Sequence, residues 1–204
     1  MKKIIFQIIL LSLLSSVSIL CQHKIFDALY EGDLNLVKKM ISKGVDVNLR
    51  DNLGWDGLPG GPTILMRVVC GKGCAVNLSP EDQLLLIKYL LSKRAKINAK
   101  TNNGETALTY AVMGPHDIQP ESESNGGESR IPILKLLLDK GADPNSKEVD
   151  GYTPLAHASE QGYYKVVEYL LKRGAREGFN DALKYANWQR HSETINILMQ
   201  WKDK

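Results

Sequence analysis

Residues 139–145 read DKGADPN, and related phrases recur along the chain: SKGVDVN at 42–48, SKRAKIN at 92–98 and KRGAR at 172–176. An apolar pair stands just upstream of each phrase, at Met40-Ile41, Leu90-Leu91, Leu137-Leu138 and Leu170-Leu171. Self-similarity of this kind is typical of stacked repeats, in which each unit buries its apolar face against its neighbours. The sequence therefore predicts a repeat architecture, which offers surfaces rather than one particular chemistry.

The most regular stretch is residues 150–162, which read DGYTPLAHASEQG. Thr153 can cap a helix that begins at Pro154, where the missing N–H has no cost. Ala156 and Ala158 are small enough for neighbouring helices to approach closely. A second helix is predicted at 164–173, because its apolar residues follow the spacing of one helix face and a glycine closes it.

This stretch closely resembles the ankyrin repeat, with its turn, its Thr-Pro-Leu helix start, its glycine stop and its second helix. Weaker copies of the helix start stand at 103–108 and 63–65, and the resemblance covers roughly residues 24–201. It implies an all-α solenoid of stacked helix-turn-helix units with short β-hairpin-like turns. The second unit departs from the pattern, since Ile64 and Met66 replace its Pro and His and Arg94 replaces its Gly.

The resemblance divides the ankyrin-repeat domain into five units, including caps: about 24–48, 49–98, 99–145, 146–176 and 177–201. The equivalent positions Gly44, Arg94, Gly141 and Gly174 are 50, 47 and 33 residues apart, and only the last spacing is the ordinary ankyrin period. The second and third units therefore contain insertions.

The insertions are predicted to lie in loops, which often carry function in repeat arrays. One is a breaker-rich turn at 56–62, one spans about 70–82, and one spans about 114–130. Ser79 and Pro80 predict a helix start within the second of these. The acidic insert, residues 116–128, reads as a mobile acidic loop.

Residues 1–21 have the pattern of an export signal: a basic start at 1–3, an apolar run at 4–14 and a polar, small-residue end at 15–21. The apolar run is short for a membrane span. Cys21 resembles the lipidation site of a bacterial lipoprotein, although Ser18-Ile19-Leu20 departs from that pattern. Cleavage near Ser18 or Cys21, or lipidation at Cys21, would place the ankyrin-repeat domain, residues 22–204, in the periplasm or at the cell surface.

The charge balance argues against a nucleic-acid partner. Loss of Lys2 and Lys3 with the leader leaves 24 basic residues (26 minus 2) against 23 acidic ones. A nucleic-acid binder needs a concentrated basic face, and no Lys/Arg run here exceeds two residues. A membrane partner is expected only if Cys21 is lipidated.

No catalytic or metal-binding motif stands out. The four histidines are scattered without metal-ligand spacing, and the sequence contains no nucleophile elbow, Walker-type loop or zinc-protease motif. We therefore expect no enzymatic activity, no cofactor and no metal.

In ankyrin proteins the first helices line a concave groove, and the resemblance assigns groove positions to each unit. The residues proposed to bind a partner are Arg67, Tyr110, Met113, His157, Glu160, Tyr185 and Trp188, with Asp27, Tyr30 and Cys70 at equivalent places. Aromatic and arginine residues are common anchors of interfaces. The alternative is that the aromatic residues simply fill the gaps between helices.

Cys70 and Cys74 flank a short Gly-Lys-Gly segment. In an oxidising compartment they could form a disulfide. Two free thiols are the other main possibility, and a metal site is weaker because no second ligand pair is near.

Two functions fit this pattern. The first is a monomeric protein–protein interaction module of the bacterial cell envelope, which holds a partner of unknown identity in its concave groove. The alternative is an inhibitor or immunity-type protein that neutralises a toxin or enzyme by means of the acidic insert 116–128.

Overall fold

The computed structural model of the chain describes residues 24–51, 60–71, 78–114 and 126–202. Ten α-helices form within these residues: α1 (24–31), α2 (Leu34–Ser42), α3 (Ile64–Cys70), α4 (Pro80–Ser92), α5 (Ala107–Met113), α6 (Ile131–Asp139), α7 (Pro154–Glu160), α8 (Tyr164–Lys172), α9 (Phe179–Gln189) and α10 (Ser192–Trp201). A 3-10 helix, Glu128–Arg130, leads directly into α6. The predicted all-α class is confirmed.

Three of the first helices begin in the same way. Their caps are Thr63, Thr106 and Thr153, and each threonine side chain accepts a hydrogen bond from the backbone N–H three residues later. This satisfies a donor that the helix itself leaves unpaired. The predicted cap of α4 is also confirmed, since the Ser79 hydroxyl accepts from the Asp82 N–H at 3.1 Å.

The second helices end in a left-handed residue. Gly44, Gly141 and Gly174 have φ of 101°, 90° and 88°, and Arg94 takes the same kind of conformation at φ 67°. Each following residue donates its N–H to a carbonyl five residues back, as Ala175 does to Leu170 at 3.0 Å. Arg94 thus keeps the repeat geometry at a cost of about 1–2 kcal/mol relative to glycine.

The helices pack in two rows. Helices α3, α5, α7 and α9 contact one another in sequence and form the first-helix row. Each of α3, α5, α7 and α9 also packs against the helix that follows it, and α8 packs against α10 in the second row. The core runs between the rows, with Leu65, Leu108 and Leu155 almost fully buried on the first-helix side. Burial of each unit therefore depends on its neighbours.

The turns before the first helices join one unit to the next. An isolated antiparallel bridge pairs Arg50 with Thr63. The Glu148 N–H donates to the Tyr152 carbonyl within one turn, and the Val149 N–H reaches the Asn103 carbonyl of the preceding turn, both at 2.9 Å. The turns thus extend the stack as a continuous edge beside the helices.

An asparagine side chain at the same place in successive units also holds the following unit; we call these contacts the asparagine bridges. The side-chain oxygens of Asn48 and Asn98 accept from the N–H groups of Lys96 and Asp143 at 2.7 and 3.0 Å. Asn145 makes three bonds, accepting from the N–H groups of Arg176 and Glu177 at 2.7 and 3.0 Å and donating to the Gly174 carbonyl at 3.1 Å. The bridges fix the offset between neighbouring units.

None of the helices in the described ranges is long and apolar enough to cross a bilayer. The predicted leader, with Cys21, lies outside these ranges, as do Cys74, most of the turn at 56–62 and residues 116–125 of the acidic insert.

The asparagine bridges lead to a stability prediction. Asn145→Ala removes three hydrogen bonds from the third unit, two to Gly174 and Arg176 of the fourth unit and one to Glu177 of the capping unit, and each contributes about 1 kcal/mol. We expect the free energy of unfolding, measured by urea denaturation, to fall by about 2–3 kcal/mol. Asn35→Ala, at an exposed site on α2, is the control and should change it by less than about 0.5 kcal/mol. Equal midpoints for the two variants would contradict the role of the bridge.

Candidate binding surface

Three side chains of the first-helix row each contact a carboxylate from the turn before their own helix. Arg67 Nη2 lies 2.8 Å from Asp51 Oδ2, Tyr110 donates its hydroxyl to Glu105 Oε2 at 3.2 Å, and His157 Nε2 lies 2.8 Å from Glu148 Oε1. The three occupy the same place, two residues after the buried leucine of their helix. We call the three contacts the carboxylate pairs. They hold these side chains in one orientation along the row.

The Asp51 pair also connects the first and second units. Asp51 is only 1% exposed, and it accepts a second hydrogen bond, from the Tyr30 hydroxyl at 2.5 Å. Burial and, to a smaller extent, the hydrogen bond to Asp51 raise the pKa of Tyr30 to about 12. A buried carboxylate needs such partners to offset its lost hydration. Arg67 and Tyr30 are therefore partly committed to holding the fold together.

Tyr110 is held similarly in the third unit. Burial raises the pKa of its hydroxyl above the usual range, and the nearby charge of Glu105 acts in the same direction. The Thr101 hydroxyl donates to the same Glu105 oxygen at 2.8 Å. The half-buried Tyr110 is thus held within the surface of the first-helix row, and only part of its ring is exposed to solvent.

An aromatic column crosses the boundary between the fourth unit and the capping unit. The Tyr152 ring lies between the rings of His157 and Tyr185, with centroids 4.8 and 5.0 Å away, and is nearly parallel to that of Tyr185 at 17°. A hydrogen bond to Tyr185, burial and the charge of Glu160 raise the pKa of Tyr152 above its usual range. The column makes a firm aromatic surface at the C-terminal end of the row.

The second set of predicted positions lies one helical turn further on. Cys70 is buried, with its sulfur 3.8 Å from the Gly114 carbonyl oxygen, and Met113 is half-buried. Glu160 is half-buried at the end of α7, whereas Trp188 on α9 is 73% exposed. The other residues proposed to bind a partner are all half-buried, and an exposed indole offers a large apolar area to a partner. Trp188 therefore stands out among the predicted groove residues.

A polar pocket of about 280 Å³ opens beside Glu160, lined also by Gln161, Gln189 and His191. His191 Nε2 lies 2.9 Å from the Glu160 carbonyl oxygen. The histidine ring packs on Gly162, where an added Cβ would come within 2.6 Å of it. The pocket is therefore shaped by the close approach of α9 and the turn after α7.

The acidic insert has a defined base. Arg130 is 7% exposed, stacks on the Tyr163 ring at 4.7 Å and donates to the Tyr163 hydroxyl at 3.1 Å. It packs so closely on Gly114 that a Cβ there would overlap it, and Lys165 pairs with Glu128. The two ends of the insert are thus in contact. Its function as an inhibitory plug stays a prediction, because residues 116–125 lie outside the described residues.

The disulfide between Cys70 and Cys74 likewise stays a prediction, since Cys74 is outside the described ranges. Among the described residues, no group of three or more His, Cys, Asp or Glu side chains could hold a metal ion.

Sequence reasoning missed the carboxylates that pair with the predicted groove residues. Asp51 and Glu148 both lie three residues after a bridging asparagine, and Thr101, which binds Glu105, has the same place in the third unit. Aligning the units on Asn48, Asn98 and Asn145 would have revealed this pattern. The pocket residues Gln189 and His191 have no comparable signal in the sequence.

Comparison with known proteins gives a consistent result. The family model for ankyrin repeats (three copies) matches residues 25–119 and 124–204. The chain is similar to the Escherichia coli (strain K12) protein YahD, named for its ankyrin repeats, with 25% identity over 190 residues, or 72% of this chain and 94% of that protein. It is 30% identical over 155 residues to a Rickettsia bellii protein also named for ankyrin repeats, covering 76% of this chain and 69% of that protein.

The tyrosine environments predict alkaline sensitivity. Tyr30 has a folded-state pKa of about 12, and an unfolded tyrosine has one of about 10. The contribution of Tyr30 to stability is therefore complete below about pH 10 and is lost as the pH rises towards 12. We expect the free energy of unfolding to fall over this interval, and to fall less steeply in Tyr30→Phe.

The measurement is urea denaturation at a series of pH values, together with the ultraviolet absorbance of tyrosinate. The urea-unfolded chain is the control, in which all tyrosines should ionise near their ordinary pKa of about 10. Identical absorbance titrations of the folded and unfolded chains would contradict the prediction.

Proposed function

The chain belongs to the ankyrin repeat family, and we propose that it binds a partner protein through the first-helix row, in the concave groove implied by its repeats. Ankyrin repeats generally mediate protein–protein interaction, and the family is typically non-catalytic. The proposal extends to the absence of enzymatic activity in this chain, to a monomeric state and to the groove residues Arg67, Tyr110, Met113, His157, Glu160, Tyr185 and Trp188.

Two features together carry the proposal: a first-helix row whose side chains are already held in place, and one exposed aromatic side chain, Trp188. The carboxylate pairs and the aromatic column hold the row in place before any partner arrives, which reduces the ordering cost of binding. Trp188 lies one helical turn after the column residue Tyr185 on α9 and is 73% exposed. Large aromatic side chains in such settings typically carry much of the binding energy of an interface.

We also propose that the protein acts in the bacterial cell envelope. The pattern of residues 1–21 supports export, and its Met-Lys-Lys start and its size resemble those of a bacterial leader. The finer alternatives, a soluble periplasmic form and a form anchored through Cys21, lead to different masses and solubilities.

Site-specific photo-crosslinking tests the binding surface. A photoreactive amino acid replaces Trp188 in one variant, Glu128 of the acidic insert in a second, and Leu85 in the control. Leu85 is a 54% exposed apolar residue on α4 of the second row. We expect position 188 to crosslink a discrete partner in cells and position 85 to give none. Crosslinking at position 85 but not 188 would contradict the proposal, and a partner captured only from position 128 would favour the inhibitor alternative.

Intact-mass spectrometry of the mature protein tests the envelope proposal. Ordinary cleavage gives a chain that starts after Ser18 or Cys21, whereas lipidation gives a lipid-modified Cys21 at the N-terminus. In the lipidated case Cys21→Ser should move the protein from the detergent phase to the soluble fraction; in the other case its solubility should not change. A mass that includes residues 1–18 would contradict both forms of export.

A further inference from the structure

Glu160 differs from the other carboxylates of this surface. Asp51, Glu105 and Glu148 are all engaged in the carboxylate pairs. Across residues 24–51, 60–71, 78–114 and 126–202, by contrast, the Glu160 carboxylate has no hydrogen-bond or ion-pair partner. It is half-buried beside a pocket, so its remaining hydration is restricted without any compensating cation. A ligand cation would supply that compensation.

The pocket beside Glu160 has polar groups that can accept hydrogen bonds. Because the Glu160 carbonyl oxygen can only accept, the His191 Nε2 that lies 2.9 Å from it carries the hydrogen. The side-chain amides of Gln161 and Gln189 can turn either their oxygen or their NH₂ group to a ligand. With the Glu160 carboxylate as a further acceptor, the lining accommodates a ligand group that donates several hydrogen bonds.

Aromatic side chains of α9 lie on the helix that packs directly against α7. Trp188 holds in the capping unit the place that Glu160 holds in the fourth unit, and Tyr185 lies one helical turn before the lining residue Gln189. The Tyr185 ring is held by its stack on Tyr152. The charge of Glu160 is one of the causes that raise the pKa of Tyr152, so the carboxylate lies near this pair of rings. A planar cation can lie flat on such rings while it donates to a carboxylate, which a guanidinium does better than an ammonium group.

The local charge agrees with a cationic ligand. Segments 142–163 and 179–190, which meet at the pocket, together have a formal charge of −2 with histidine counted as neutral, from five carboxylates (Asp143, Glu148, Asp150, Glu160, Asp181) against Lys147, Lys184 and Arg190. Charge complementarity of this kind steers partners and excludes those with the same sign.

We propose that the pocket beside Glu160 receives an arginine side chain from a basic segment of the partner protein. The guanidinium donates to the Glu160 carboxylate and stacks on Trp188, and the pocket acceptors bind its remaining N–H groups. This assignment rests on the proposed function, because it names the chemistry that the binding surface recognises.

The test uses three short synthetic peptides with the repeating sequences Gly-Ser-Arg, Gly-Ser-Lys and Gly-Ser-Glu. Each is titrated into the mature protein, and the indole N–H signal of Trp188 is followed by NMR after assignment with Trp188→Phe. We expect the arginine peptide to shift this signal and to bind about tenfold more tightly than the lysine peptide. The glutamate peptide should leave the signal unchanged.

Glu160→Gln is the decisive variant, because it removes the charge and keeps the shape. We expect it to weaken the arginine peptide about tenfold, as for the loss of a charge-assisted hydrogen bond. Glu193→Gln is the matched control, since Glu193 is exposed on the neighbouring helix α10 and outside the pocket. It should leave the affinity unchanged, and circular dichroism checks that both variants are folded.

Three results would overturn the assignment: no shift of the Trp188 signal, equal binding of the arginine and lysine peptides, or equal weakening by the two glutamine variants. These results are separable from a failure of the proposed function. If position 188 still photo-crosslinks a partner while the arginine peptide has no effect, the groove binds protein but not through a guanidinium. If position 188 captures no partner, the groove proposal itself fails.

Discussion

The asparagine bridges are the constraint on which the rest of this structure depends. An ankyrin-type unit cannot bury its apolar face alone, so its stability and the position of its side chains come from the next unit. Asn145, at the end of the third unit, holds the backbone of 174–177, where the fourth unit ends and the capping unit begins, through three hydrogen bonds. That offset lets Tyr152 of one unit stack on Tyr185 of the next at 5.0 Å. The candidate site at the C-terminal end therefore follows from the way in which the units are joined.

The carboxylate pairs divide the predicted groove residues into two kinds. Arg67, Tyr110 and His157 satisfy carboxylates that are largely withdrawn from water, so their removal would leave buried charges without partners. These three residues help to hold the first-helix row in place. A loss of binding in their variants could therefore not be separated from a loss of structure. Glu160 and Trp188 take no part in the carboxylate pairs. Variants at these two positions therefore test recognition more directly.

The sequence was sufficient for the family and the helix starts, because both depend on local rules. Thr153 and Ser79 cap their helices as predicted, and the glycines after the second helices are left-handed as predicted. Arg94 shows that stacking can impose the same conformation where the local preference is absent. The pairing of Glu148 with His157 and the pocket at Glu160 depend on contacts across turns and units. Periodicity reports which face is buried, but it does not report which side chains meet.

The contrast between paired and unpaired carboxylates also bears on specificity. A surface of fixed tyrosines and satisfied acids would bind many partners weakly, since exposed aromatic area discriminates poorly between them. A single half-buried carboxylate without a partner changes this, because any segment that covers Glu160 without supplying a cation leaves a charge desolvated and unpaired. Such a segment is penalised, whereas one with a well-placed guanidinium is favoured. Selection at this end of the groove would thus come as much from the rejection of neutral and acidic segments as from attraction to basic ones.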